Sequence, residues 1–287
     1  MIIFLLFPIL AYCFNTPIYR QPSDPFVSGD TFRAHSDFVY DDEDKSFDPA
    51  SVRDSQVIFV KTDFIGEFFE KIHPQIQARY ILICHNSDHP SPGEHKAHLD
   101  DPKIIAWFAL NYDGTIHPKL HPIPFGIANR IWPWGNADTL KKVMEKTKGA
   151  AKQHLLYMNF TIQNYYDERW PVFRQFAQAP FIFRTGKKLF EPYLHDLAST
   201  RFVLAPRGAG IDTYRIWESV YLGVIPIVRT STVDCIYEGL PILIIKDWKE
   251  VTEAFLKQKD LEFSQKTFSL DKLDISYWLN EIEQCKH

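Results

Sequence analysis

The sequence predicts an α/β fold of two halves, each a parallel sheet with helices on its faces and polar loops at one sheet edge. Three observations carry this. Short apolar runs of strand length, at residues 57–60, 80–84, 202–205 and 224–228, are separated by helix-length stretches, the pattern of βαβ units. Turn residues close those runs, most densely Pro206, Gly208 and Gly210. A lysine-rich helical stretch at 136–153, broken near Gly149, lies between two such series, which divides the chain into halves at 14–150 and 151–287. With 287 residues, 45% of them apolar and 24% charged, the chain can build one large core or two compact ones. A net charge of -4 leaves no electrostatic footprint for nucleic acid.

The chain begins with an apolar run at 2–12, too short to span a bilayer. It suits the h-region of a secretory signal cut after Cys13, which places the protein in an exported compartment; uncleaved, the same segment gives membrane association. A buried N-terminal strand is the alternative. Residues 15–54 lack periodicity and read as an irregular lead-in. Within them Asp42-Glu43-Asp44 matches the Asp-x-Asp pattern of metal-dependent transferases, and reads more simply as a solvated acidic loop. Strand 57–60, helix 64–76 and strand 80–84 then form a first βαβ unit. Asp63, Asp88 and His89 follow its strands, at the carboxyl edge where ligands bind; each is either a general base or a turn residue.

His85, His89, His95 and His98 fit no zinc spacing, and the prolines among them say loop, so no metal is assigned. Trp132 and Trp134 flank Pro133; such rings stack on sugars, although packing is their usual duty. Cys13, Cys84, Cys235 and Cys285 show no paired spacing, and Cys84 reads as core.

The second half reads as a Rossmann-like series: strand 154–160, helix 166–177, strand 181–184, helix 189–198 and strand 202–205. Asp212 caps a helix at 213–222, Gly223 closes it, and strand 224–228 follows. Pro226 cannot donate to a ladder, so a bulge or strand end is expected there. Strand 241–245, helix 250–256 and a terminal helix at 271–285 complete the chain. Asn159-Phe160-Thr161 is a glycosylation sequon, meaningful in a eukaryotic secretory route.

The turn after residue 205 is where chemistry is expected. Arg207 and Arg215 flank a helix start, although the helix dipole favours negative charge there. Either an anion such as a diphosphate offsets them, cradled by the amides of Gly208 and Gly210, or they pair with Asp212 and Glu218.

Ala205-Pro206-Arg207-Gly208, then Asp212-Thr213-Tyr214-Arg215, Trp217-Glu218 and Gly223-Val224-Ile225-Pro226, resembles the donor-binding signature of exostosin-like glycosyltransferases. About ten positions in fixed order carry the match, far more than a lone glycine-rich loop. The resemblance implies a short GT-B-like enzyme with its active site between the halves. It implies that Arg207 contacts the diphosphate of a nucleotide sugar and that Glu218 reaches the ribose hydroxyls. Gly208, Gly210, Asp212, Thr213 and Arg215 complete the expected donor site, and Asp63, Asp88 or His89 supplies the base.

The implied reaction is inverting, metal-independent transfer of a hexose or pentose to a hydroxyl of a glycan or glycoconjugate. Two rivals are a catalytically inactive nucleotide-sugar or carbohydrate-binding module and a glycoside hydrolase. The hydrolase needs a carboxylate pair where this turn offers an anion site.

Overall fold

The structure, a computed structural model, describes residues 20–286, so the apolar run at 2–12 and its cleavage site lie outside the described residues. The expected α/β architecture of two halves is present as two five-stranded sheets, every ladder of which is parallel.

The first sheet runs in sequence order: β1 (Phe38–Tyr40), β2 (Gln56–Lys61), β3 (Tyr80–His85), β4 (Ile104–Ala109) and β5 (Leu120–Pro122). β3 is buried at every position, which is what a continuous apolar run requires of a central strand covered on both faces. The lead-in is more ordered than the sequence suggests. Helix α1 (Gly29–Ala34) forms there because the Ser28 hydroxyl accepts from the Thr31 N–H, and β1 follows it. The acidic run is paired: Asp42 meets Arg20 at 2.7 Å, and buried Asp41 meets Arg33 at 2.6 Å. The expected helix at 64–76 is broken. Only α2 (Ile65–Glu67) is α-helical, followed by wider and tighter turns to Gln75, where Pro74 has no N–H to extend a ladder.

Helix α3 (Ala137–Thr147), capped by Asn136, leads into the second sheet. Its strands are β6 (His154–Met158), β7 (Ile182–Arg184), β8 (Thr200–Leu204), β9 (Ile225–Arg229) and β10 (Leu243–Ile245), in the order β10-β9-β8-β6-β7. Helices α4 (Tyr166–Phe176), α5 (Phe190–Ala198), α6 (Tyr214–Tyr221), α7 (Asp234–Tyr237) and α8 (Glu253–Ser264) connect and flank them. Because β7 and β8 lie on opposite sides of β6, the sheet has a topological switch point between β6 and β8, where open α/β sheets hold their ligands.

Pro226 makes no bulge, contrary to expectation. It pairs in register with Val203 inside β9. The Ile227 carbonyl accepts from Ala205 on the β8 side, so by alternation Pro226 faces β10, whose pairing begins only at Leu243 with Ile227. Its missing N–H leaves no partner unsatisfied.

Helix α9 (Ile275–Gln284) returns to the first half. The Ile275 N–H donates to the Pro25 carbonyl and Ser55 Oγ donates to the Lys286 carbonyl. One apolar cluster joins the halves, with Phe26, Val27 and Phe125 packed alongside Trp217, Val220 and Trp278. Among the described residues no helix is long and apolar enough to cross a membrane.

Candidate functional site

A cleft of about 1060 Å³ opens between the carboxyl edges of the two sheets. The loops after β6, β7 and β8 supply its second-half wall, and those after β1, β3 and β5 its first-half wall.

The turn from Pro206 to Thr213 comes between β8 and α6 and abuts the first half. A side chain at Gly210 would place its Cβ 3.0 Å from the Asn111 amide and 3.1 Å from Asp88 Oδ1, so only glycine lets the two walls approach this closely. Asn111, at φ 51 after β4, clasps the turn: its Oδ1 accepts from the Ile211 N–H at 2.9 Å while its Nδ2 donates to the Ser87 carbonyl.

Asp212 lies at the cleft lining with its carboxylate fully buried. Its carboxylate accepts from the N–H groups of Phe125 and Thr213, from Trp217 Nε1 at 2.7 Å and from the Tyr237 hydroxyl at 2.9 Å. Those four donors, one of them from the other half, use both oxygens. The expected donor residue is a structural tie, and its burial raises the carboxyl pKa to about 6.

Arg207 turns back on its own loop. Its guanidinium donates to the Gly208 and Ala209 carbonyls and lies 4.4 Å from the Tyr165 ring centroid. It borders a separate cavity of about 260 Å³ with Glu168 and Arg229 rather than the main cleft.

The cations that line the second-half wall of the cleft are Arg169, Lys187, Lys188 and Arg215, with Arg20 and Lys61 on the first-half wall. Arg169, 4% exposed, fastens the turn by donating to the carbonyls of Arg207 and Thr161, both at 2.8 Å. Burial, with the nearby charge of Arg215, lowers its pKa to about 10. Two cations placed close enough to oppose each other in a buried setting call for an anion. Arg215 Nε and Thr213 Oγ1 are both buried without a hydrogen-bond partner, and no side chain caps α6. The helix start therefore presents free N–H groups beside an unpaired guanidinium nitrogen and hydroxyl.

One turn along α6, Glu218 is 4% exposed and accepts from the Tyr193 hydroxyl at 2.9 Å. Burial raises its pKa to about 7, against the opposing pull of Arg215 and of that hydrogen bond. Glu218 also lines the cleft.

Of the expected bases, Asp88 lines the cleft beside Gly210. Asp63 and His89 pair with each other at 3.9 Å, exposed and outside the cleft lining. Thus Gly208, Gly210, Thr213, Arg215, Glu218 and Asp88 come together, and Arg207, Asp63 and His89 do not join them. Arg169, Lys187, Tyr193 and Arg20 line the site without having been singled out in the sequence, and Asp42, read there as part of a solvated acidic loop, lines it as the partner of Arg20. Nothing local marks them, because they reach the cleft from segments far apart in sequence.

Asn159 of the sequon also lines the cleft, with Nδ2 bound to Thr185 Oγ1 and the Gly186 carbonyl, so a glycan there would occupy the site. No group of three or more His, Cys, Asp or Glu among the described residues is placed to hold a metal.

Residues 177–284 match the family model of the RXYLT1 C-terminal domain. The matched range contains the segment 205–226. No protein of curated function matches the chain. Among solved structures, a chain described as "Crystal structure of GtfA/B complex" is similar at a TM-score of 0.40 and 11% identity, over 82% of this chain. The chain spans 58% of the length of that one.

Proposed function

We propose that the chain is a glycosyltransferase that moves a sugar from a nucleotide-diphosphate donor to a hydroxyl of a glycan or glycoconjugate. The observation that carries this reading is the convergence, beside the β6/β8 switch point, of an uncapped helix start with an unpaired Arg215 nitrogen and an unpaired Thr213 hydroxyl, in a cleft that Lys187 lines from the loop after β7.

In the reaction, the acceptor oxygen bonds to the anomeric carbon as the bond from that carbon to the diphosphate oxygen breaks. The electron pair leaves with the diphosphate, and Arg215, Lys187 and the α6 amides meet the charge that develops there. Arg169 holds the turn in place and adds positive potential. Glu218 accepts from the two ribose hydroxyls, for which a carboxylate is suited. Asp88, on the facing wall, takes the acceptor proton. An attack from the side opposite the diphosphate inverts the anomeric centre. The N-terminal apolar run is consistent with a secretory setting for this work.

The test is release of nucleoside diphosphate from UDP- and GDP-linked hexoses and pentoses, with and without EDTA, supplied with a mixed glycan acceptor pool. Turnover of one donor, insensitive to EDTA and at least tenfold slower in Asp88→Asn, supports the mechanism. Nucleotide binding without turnover of any donor would reduce the protein to a binding module.

A further inference from the structure

We propose that Trp132 and Trp134 form an acceptor subsite, a platform on which one pyranose ring lies flat against indole. The proposal deepens the transferase reading and rests on it for the word acceptor, though not for the binding itself.

Of the other five tryptophans, Trp107, Trp217, Trp248 and Trp278 are buried, and half-buried Trp170 stacks with Tyr166 and Phe173. Trp132 and Trp134 instead stand 45% and 48% exposed at the cleft. Their rings are stacked on one another, 6° apart with centroids at 5.6 Å, so each braces the other and leaves an outer indole face that its partner does not cover. Two large rings left half in water at a cleft mouth mark an interaction surface, since burying them would be favourable.

The pair is also rigid. The Trp132 N–H donates to the Asn129 carbonyl and the Gly135 N–H to the Trp132 carbonyl. A Cβ at Gly135 would come 1.8 Å from the Asn129 oxygen, so the turn closes only with glycine there. Arg130 pins the turn from outside through Asp138 at 2.8 Å and the Pro22 carbonyl. Asn129 pins it from inside, accepting from the Asp30 N–H and donating to Asn86. A pre-formed platform loses little entropy on binding.

The occupant follows from what surrounds the rings. Asp88 and the Arg20–Asp42 pair line the same wall of the cleft. A flat C–H face beside groups that exchange hydrogen bonds with hydroxyls describes a sugar. A lipid chain would leave those charges against hydrocarbon, which is costly. Pyranosides with axial hydrogens on one face and equatorial hydroxyls at the rim fit best.

The experiment is saturation-transfer NMR on the full chain with methyl β-xyloside, methyl β-galactoside, xylotriose and diacetylchitobiose, irradiating aromatic protein protons. UDP and GDP are run as separate ligands. At least one saccharide is expected to receive transfer concentrated on the protons of one ring face. That signal should fall at least tenfold in Trp132→Ala and in Trp134→Ala and persist in Trp134→Tyr. Both positions are exposed, and unchanged far-UV circular dichroism will show that the variants fold. Absence of transfer to every saccharide, or transfer that survives both alanine variants, overturns the subsite even when a nucleotide binds. Saccharide binding without any nucleotide binding would sink the donor reading and leave the platform standing as a carbohydrate site.

Discussion

In the proposed donor site two demands fall on the Glu218 carboxylate, which is buried and would have to be ionised to accept from a ribose. Burial holds its pKa near 7 in the folded chain, above the 4.5 of an exposed glutamate. The folded state therefore keeps a proton that the unfolded state has already released across that window, so stability is present at low pH and is lost as pH rises through 7. Urea midpoints measured across this range should fall with pH for the wild type and fall less in Glu218→Gln. Nucleotide affinity should run the other way, strengthening as Glu218 ionises, and should be weak and nearly flat in the glutamine variant. An affinity that drops as pH rises through 7 would remove Glu218 from the ribose. Asp212 makes a different prediction. Asp212→Ala strands the Trp217, Tyr237 and Phe125 donors in a buried place, and should cost about 3 kcal/mol or more in unfolding free energy by chemical denaturation.

The turn between β8 and α6 shows how far an element can be read from sequence. Its start, its end and its glycines are legible, because Pro206 fixes its φ and Gly208, Gly210 and Gly223 admit conformations that other residues avoid, wherever they stand. Which arginine faces the cleft is not legible. Arg207 and Arg215 differ only in the direction each leaves the backbone, and Tyr165 and the Ala209 carbonyl, which hold Arg207 away, come from contacts that only folding creates. The same holds for Arg169, whose value lies in spanning Thr161 and Arg207. Short elements suffered likewise: α1 and β1 are too brief for periodicity, and the Ser28 cap of α1 lies in a stretch that read as irregular. At this scale Gly210→Ala is the informative change. Its methyl presses on Asn111 and Asp88, which must give way, so it should lower stability by about 1–3 kcal/mol and weaken nucleotide binding together.

Across the whole molecule, the division of labour follows from topology. The second sheet has a switch point and gathers cations there; the first runs in order and carries the stacked tryptophan pair and Asp88. The chain is long enough for this only because the halves share an apolar cluster, the Asn111 and Asp212 ties, and α9 folded back on the first half. Sequence patterning revealed two parallel series, since strand and helix periods are local. It placed the terminal helix with its neighbours in sequence, because nothing in the residues themselves says which half Ile275, Trp278 and Ile282 cover.

The central claim is that a nucleoside diphosphate sits at the start of α6, held by Arg215. Calorimetric titration of UDP and GDP into the wild type, Arg215→Ala and Arg207→Ala tests it most directly. One nucleotide should bind the wild type, bind Arg215→Ala at least tenfold more weakly, as loss of a charged hydrogen bond implies, and bind Arg207→Ala nearly unchanged. Loss of binding in Arg207→Ala with Arg215→Ala unaffected would move the diphosphate to the other arginine. No heat of binding from either nucleotide, in wild-type protein shown to be folded, would contradict the claim outright.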